Sequence, residues 1–269
     1  MPPEVKMDNQ QIKEQDLFWS AIMFYTRIPA PKGIPYSQPH LNRSRKYFPL
    51  IGIIIGLIFS GIYAISSVCF SPTLSTLLAM CATILATGAF HEDGFADSCD
   101  GFGGGWSKEQ VLTIMKDSRV GTYATVGLFF MFSIKIFTLL EIAQSLSFSL
   151  FSVCVICANT ISRQLSSSAI DHFEYVQDID ASKVKPMTES LMTNNDKLTS
   201  YSISLTSLIA MMFVSFWGSI ISILIASAGA YTFLNYSKKR IGGYTGDVLG
   251  ASQQISEVLF LLSITAYLT

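Results

Sequence analysis

The chain has 269 residues, half of them hydrophobic and only 14% charged, whereas an ordinary soluble domain carries about 25% charged residues. That composition excludes a water-soluble globular domain and indicates a polytopic membrane protein. The net charge of −1, with Lys and Arg gathered between apolar runs, points away from nucleic acid as a partner. Four of the five cysteines, Cys69, Cys81, Cys154 and Cys157, lie in apolar runs and read as small core residues. Cys99 has no partner at zinc-ligand spacing.

Residues 1–16 are polar and mixed in charge, lack the basic and apolar regions of a signal peptide, and read as loosely attached. Leu17 to Ile28 is an apolar, aromatic run, shorter than the roughly 20 residues that a crossing needs, so it is expected as an interfacial helix. Pro29, Pro31, Pro35 and Pro39 then mark an extended linker. Arg43, Arg45 and Lys46 precede the first strong apolar run, Tyr47 to Phe70, and by the positive-inside rule place its start on the cytoplasmic side. A second span, from about Thr73 to Phe90, returns the chain to that side.

Directly after it comes His91-Glu92-Asp93-Gly94-Phe95-Ala96-Asp97-Ser98-Cys99-Asp100-Gly101-Phe102-Gly103-Gly104-Gly105. If the preceding helix continues through this stretch, Asp93, Asp97 and Asp100 stand at i, i+4 and i+7 and share one face over roughly 10 Å. Like charges at that spacing, close to a helix C-terminus, are unfavourable. A hard divalent cation removes both penalties, because Mg²⁺ takes carboxylate oxygens and leaves positions for substrate phosphates.

A glycine-rich loop and an amphipathic stretch (Val111, Leu112, Ile114, Met115) are expected next. Lys116, Asp117 and Arg119 then sit before a third span, Tyr123 to Leu140. Lys135 within it is expected to snorkel toward Glu141. Phe148 to Ser167 returns, and Arg163 near its inner end reads either as a phosphate contact or as an interface residue. The polar segment 170–199 follows, with His172 expected to be merely solvated, as is His40 earlier. Tyr201 to Tyr236 reads as a hairpin of two short spans broken at Trp217-Gly218-Ser219, which puts Lys238-Lys239-Arg240 inside. Gly242-Gly243-Tyr244-Thr245-Gly246-Asp247 leads into the last span, Gly250 to Leu268, which carries Glu257.

The expected fold is therefore all-α: a helical bundle of about seven transmembrane helices plus the short N-terminal interfacial helix. It forms one membrane domain over 1–269, with 1–46 as a polar and interfacial segment. Three polar motifs, 91–105, 116–121 and 242–247, together with the 170–199 loop, are expected on one cytoplasmic face.

The His-Glu-Asp-Gly-x-x-Asp-x-x-Asp-Gly run with its glycine tail, Met-Lys-Asp-Ser-Arg-x-Gly-Thr-Tyr at 115–123, and Gly-Gly-x-Thr-Gly-Asp with Gly250-Ala251 resemble cobalamin synthase, the adenosylcobinamide-GDP ribazoletransferase family. Phe24-Tyr25-Thr26-Arg27-Ile28-Pro29 and Phe48-Pro49-Leu50-Ile51-Gly52 extend the resemblance over most of the chain, most weakly at 170–235. It implies an Mg²⁺-dependent enzyme of the bacterial cytoplasmic (inner) membrane. Such an enzyme joins adenosylcobinamide-GDP to α-ribazole, or to its 5′-phosphate, and releases GMP late in vitamin B12 assembly.

Matched onto this motif, Glu92, Asp93, Asp97 and Asp100 are candidate metal ligands, with Asp93 and Asp97 central to catalysis and Asp247 a further ligand or ribose contact. Lys116 and Arg119 would bind the diphosphate, and Gly103 and Gly104 would let backbone N–H groups approach phosphate. His91 is a candidate general base, with a structural role as the alternative. The partners implied are the two substrates and the lipid bilayer, with homo-oligomerisation left open.

A CDP-alcohol-type membrane phosphotransferase is the nearest rival, but its pattern resembles Asp-Gly-x-x-Ala-Arg, and no Arg follows Asp93-Gly94 here. A cation-coupled transporter is the second, although its carboxylates would be expected at mid-span rather than at a helix end.

Overall fold

A computed structural model describes residues 12–35, 37–176 and 192–268. The expectations for residues 1–11 and for the middle of the 170–199 loop, 177–191, lie outside the described residues. Among the described residues there is no strand, only a single bridge between Tyr175 and Tyr244. The helices are α1 (Glu14–Tyr25), α2 (Gln38–Ser44), α3 (Phe48–Ser66), α4 (Pro72–Thr87), α5 (Phe90–Gly104), α6 (Lys108–Met115), α7 (Thr122–Ser145), α8 (Phe148–Ala169), α9 (Asn194–Met212), α10 (Phe216–Ile241) and α11 (Gly246–Leu268). A single 3₁₀ turn, Arg45–Tyr47, joins α2 to α3.

Among the described residues, five stretches are long and apolar enough to cross a membrane: Gln38–Ser66, α7, α8, α10 and α11. The α4–α5 pair makes a sixth only when its two limbs, bent by 89°, are taken together. We take α4 as the apolar arm and α5 as the polar limb outside the bilayer. Seven crossings is thus a higher count than these criteria give, because α4 has only 16 residues and the first turn of α9 is Asn-Asn-Asp-Lys. The expected hairpin over 201–236 is two helices, but its break falls at Phe213 to Ser215. There the Ser215 hydroxyl accepts from the Gly218 N–H and starts α10 ahead of Trp217.

Helices α8 and α11 form the centre, with 61% and 67% of their apolar windows buried against 28% for α7 and 33% for α10. Outer faces such as Phe129, Phe130 and Phe137 of α7 and Leu224 of α10 are exposed, as suits contact with lipid. Between apolar helices in lipid, close backbone approach does the work that the hydrophobic effect does in water. Gly52 and Gly56 on one face of α3 provide it against α8. A Cβ at Gly52 would lie 2.5 Å from the Asn159 carbonyl oxygen, and one at Gly56 would lie 2.6 Å from Ile156 Cα.

α1 has the length expected of the interfacial helix. It packs Ala21, Ile22 and Tyr25 against Phe48, Ile51 and Ile55 of α3. The basic residues before α3 are not free headgroup anchors. Lys46 binds Glu14 and Asp196 at 2.8 Å each, and buried Arg45 reaches Asp171 at 2.5 Å. These pairs tie α1, the 3₁₀ turn and the segments around 171 and 196 into one end of the bundle.

The decisive local feature is the joint between α4 and α5. Gly88 (φ 69°) and Ala89 (φ 59°) are both left-handed. The Ala89 N–H returns to the Ile84 carbonyl, while the Ala89 carbonyl already accepts from the Asp93 N–H. One residue thus closes a Schellman-type end and opens the next helix. The expected stripe of aspartates rests on the condition that the preceding helix continues through the acidic motif. That condition is not met, because two successive left-handed residues cannot continue a right-handed helix, and the motif forms a helix of its own.

Candidate active site

The break changes the electrostatics of the motif. Glu92 and Asp93 lie in the first turn of a new helix, where the macrodipole favours negative charge, rather than at the C-terminus of an old one. The spacing argument survives, because α5 is helical through Gly104 and keeps Asp93, Asp97 and Asp100 on one face.

The start of α11 crosses that face. A Cβ on Gly94 would fall 2.9 Å from both Cα and O of Asp247, so the glycine is what lets the two backbones meet. Four aspartates from two helices therefore converge. Burial, then the neighbouring Asp247, Asp93 and Asp100 carboxylates, push the Asp97 carboxyl up to about 7.

Asp100 has a second task. Its carboxylate accepts from the Gly121 N–H at 2.6 Å and the Ala124 N–H at 2.9 Å, the orphan donors at the start of α7. Gly121 is the N-cap residue and has no side chain to do this itself. Asp100 so holds the 116–121 segment against the acidic face. Within that segment Arg119 is 87% exposed and paired with Asp117 through its guanidinium, which holds the Asp117 carboxyl at about 2. Lys116 ends α6.

The glycine tail is not a loop. Gly101, Gly103 and Gly104 are in the last turns of α5, and Gly105 caps it. A Cβ on Gly103 would sit 2.5 Å from the Tyr123 ring and one on Gly101 2.6 Å from Met115. These glycines bring α6 and α7 against α5, and of the two named as phosphate contacts only Gly104 keeps ordinary van der Waals space. Arg240 donates to the Gly105 carbonyl at 2.5 Å and closes the helix end.

Glu92 does not join the aspartates. It turns into the interior, where Gln254 donates to it at 3.1 Å and itself accepts from Lys135 at 2.8 Å. Lys135 pairs with Glu257 at 2.8 Å, and Gln253 donates to Glu257 and to Ser162. Arg163, buried beside them, donates to Asn159 and lies 5.9 Å over the Phe48 ring. Lys135 therefore does not snorkel toward Glu141, since a carboxylate across the bundle satisfies it better than a distant interface. Arg163 likewise is buried rather than extended to the interface. Gln253 and Gln254 escaped the sequence reading, although two amides beside Glu257 in an apolar run were a visible signal.

His91 lies about 200° around α5 from Asp93. Its ring is 2% exposed, stacked 5.6 Å from Phe48, and neither nitrogen has a hydrogen-bond partner among the described residues. The structure thus separates it from the aspartates. His172 is bonded through Nδ1 to the Ser168 carbonyl and His40 to Ser37.

Among the described residues no three His, Cys, Asp or Glu side chains converge closely enough to hold a metal ion by themselves. Magnesium does not need them to, since it keeps several waters and commonly takes one or two carboxylates plus substrate phosphate. Like charge crowded around Asp97, which adds to burial in raising its pKa, is the electrostatic complement of a dication. The residues fit such an ion, with Asp97 and its neighbour Asp93 or Asp247 as the donors.

The loop after α10 completes this end of the molecule. The Tyr244 N–H donates to the Glu174 carbonyl, the Val176 N–H to the Tyr244 carbonyl, and Thr245 caps α11 through the Val248 N–H. The motifs at 91–105, 116–121 and 242–247 and the described start of the 170–199 loop therefore do meet at one end of the bundle.

A family model described as cobalamin-5-phosphate synthase matches residues 17–265. An adenosylcobinamide-GDP ribazoletransferase of Vibrio cholerae serotype O1 is 39% identical over 255 residues, 94% of each chain. Its namesake in Shewanella frigidimarina is 40% identical over 260 residues, 95% of this chain and 96% of that one. That of Vibrio parahaemolyticus is 35% identical, with 94% and 93% covered. No solved structure matches the chain. Matched by the family model along nearly its whole length, with relatives of the same extent, the chain belongs to the cobalamin-5-phosphate synthase family.

Proposed function

We infer that this protein is a membrane-embedded transferase that joins adenosylcobinamide-GDP to α-ribazole or its 5′-phosphate and releases GMP. The observation that carries the site assignment is the convergence of Asp93, Asp97, Asp100 and Asp247 at the crossing of α5 and α11. The names of the relatives supply the substrates. The clustering of the polar motifs at one end of the bundle supports placing them at the cytoplasmic surface of the inner membrane, with the bilayer around the apolar helices.

In the reaction a ribose hydroxyl forms a new O–P bond to the phosphorus next to cobinamide. The anhydride bond to the second phosphorus breaks, and GMP leaves with the electron pair. Catalysis here is positioning plus charge stabilisation. Mg²⁺ held by Asp97 with Asp93 or Asp247 would supply neutralisation of phosphate charge. Whichever of Asp93 and Asp247 is left off the cation would take the hydroxyl proton. Asp100 fixes the Lys116 to Gly121 segment beside the acidic face. From there Arg119 can exchange its Asp117 partner for a diphosphate, to which its planar fork is matched.

The test is to incubate the purified chain in detergent with adenosylcobinamide-GDP and α-ribazole, with and without Mg²⁺, and to measure GMP. Metal-dependent GMP release that requires both substrates is expected. No release under any condition overturns the assignment.

A further inference from the structure

Behind α5, on the side away from the aspartates, lies a cavity walled mostly by rings, among them Phe24, Phe48, Phe90, Tyr175 and Tyr244. Among the described residues, two side chains on its lining are unsatisfied: His91 has neither ring nitrogen bonded and Ser167 has no partner for Oγ, and the two residues are 2% and 1% exposed. Buried polar atoms in native proteins nearly always find partners, so a shared gap at one cavity calls for a group that supplies them. The His91 ring is fixed for that purpose, stacked on Phe48 at an interplanar angle of 17° and edge-on to Phe90 at 84°. The wall is open at Gly246, where a Cβ would meet no atom within 4 Å. The next residue is Asp247.

We propose that this cavity holds the planar base of the ribazole substrate, with His91 donating to its free ring nitrogen and the ribose leaving past Gly246 toward the carboxylates. The proposal rests on the transferase reading above. A benzimidazole base has flat apolar faces for the aromatic walls. One of its two nitrogens carries the sugar, so a single edge acceptor remains for one imidazole N–H. A lipid chain would offer His91 no acceptor. Guanine, the other flat heterocycle in the reaction, carries donors and acceptors on several edges, more than these two side chains answer. His91 is here a binding residue that selects the base, not the general base of the reaction.

Binding of α-ribazole to the purified full chain, read by benzimidazole fluorescence in the absence of the GDP-linked substrate, tests this. His91→Phe keeps a flat ring and removes both nitrogens. It is expected to weaken α-ribazole binding, and to raise its KM, about tenfold, with the KM for adenosylcobinamide-GDP and the affinity for GMP unchanged. On the wild-type protein, 1-ribosylindole, which lacks the acceptor nitrogen, is expected to bind about tenfold more weakly than α-ribazole, whether or not the variant folds. Equal binding of the two ligands by the wild type, or undiminished α-ribazole binding by a folded His91→Phe, overturns the proposal, as does a loss confined to GMP. Wild-type protein that releases GMP while failing these tests leaves the transferase reading intact. Protein that binds α-ribazole through His91 but never releases GMP sinks that reading and leaves the cavity assigned.

Discussion

The molecule holds two groups of charges that obey opposite rules. In the interior, Lys135 pairs with Glu257, Gln253 donates to the other Glu257 oxygen, and Gln254 accepts from Lys135 while donating to Glu92. Across α5, the Asp247, Asp93 and Asp100 carboxylates crowd Asp97 and add to burial in raising its pKa. Charge that is neutralised inside the fold is architecture, because taking one partner away exposes the full desolvation cost of the other. Like charge gathered at a helix crossing costs stability in the free protein and is repaid when a cation or substrate arrives.

The largest effect should come from the acidic face. Asp97→Asn keeps the side-chain volume and removes one repelling charge, so GMP release should fall by about two orders of magnitude or more with thermal stability unchanged or higher. Wild-type turnover in that variant would make the aspartates a solvated patch and dissolve the contrast.

The interior should answer in the other currency. Lys135→Met leaves Glu257 buried without its cation and should destabilise the protein by about 3–5 kcal/mol, read from the denaturation midpoint in detergent. Adding Glu257→Gln should restore much of it. Full stability in the single variant would mean that the pair contributes nothing to the fold.

A smaller effect concerns pH. Because the Asp97 carboxyl moves from 3.8 up to about 7 on folding, the folded metal-free protein holds a proton in that interval that the unfolded chain has released. Its stabilising share is complete below the lower value and is lost as pH rises through the upper one. The melting temperature of metal-free protein should decline across this window. Asp97→Asn should flatten that decline, and Mg²⁺ should offset it near the upper end. A slope that persists in Asp97→Asn would assign it to another group.

The smallest effect is expected at Arg119. Arg119→Lys keeps the charge and loses the fork, so the KM for adenosylcobinamide-GDP should rise about two- to fivefold with that for α-ribazole unchanged. Equal constants for both substrates would leave Arg119 as no more than the partner of Asp117.

The stripe of Asp93, Asp97 and Asp100 was legible because it depends only on a 100° step along one helix. The same step, read more strictly, would have set Glu92 and His91 on other faces. The joint at Gly88 was hidden inside an apolar run that continues to Phe90, and Ala89 is a residue that rarely adopts the left-handed region. The partners of Lys135 were out of reach, since Gln254 and Glu257 lie in the last helix and no local pattern connects them. Asp100 as the cap of α7 was equally remote, although a glycine at the N-cap position with no side-chain oxygen of its own was a hint that an acceptor must come from elsewhere.

The Lys135 to Glu257 pair also bears on how the protein is made. α7 emerges from the ribosome and must leave the translocon with an unneutralised ammonium in its middle, while its counter-ion waits in α11, four helices later in the chain. Until then α7 is a poor membrane resident and depends on the insertion machinery or on water at that site. A chain truncated before α11 should therefore be recognised and degraded, so that quality control reads the arrival of α11 as the burial of a single lysine.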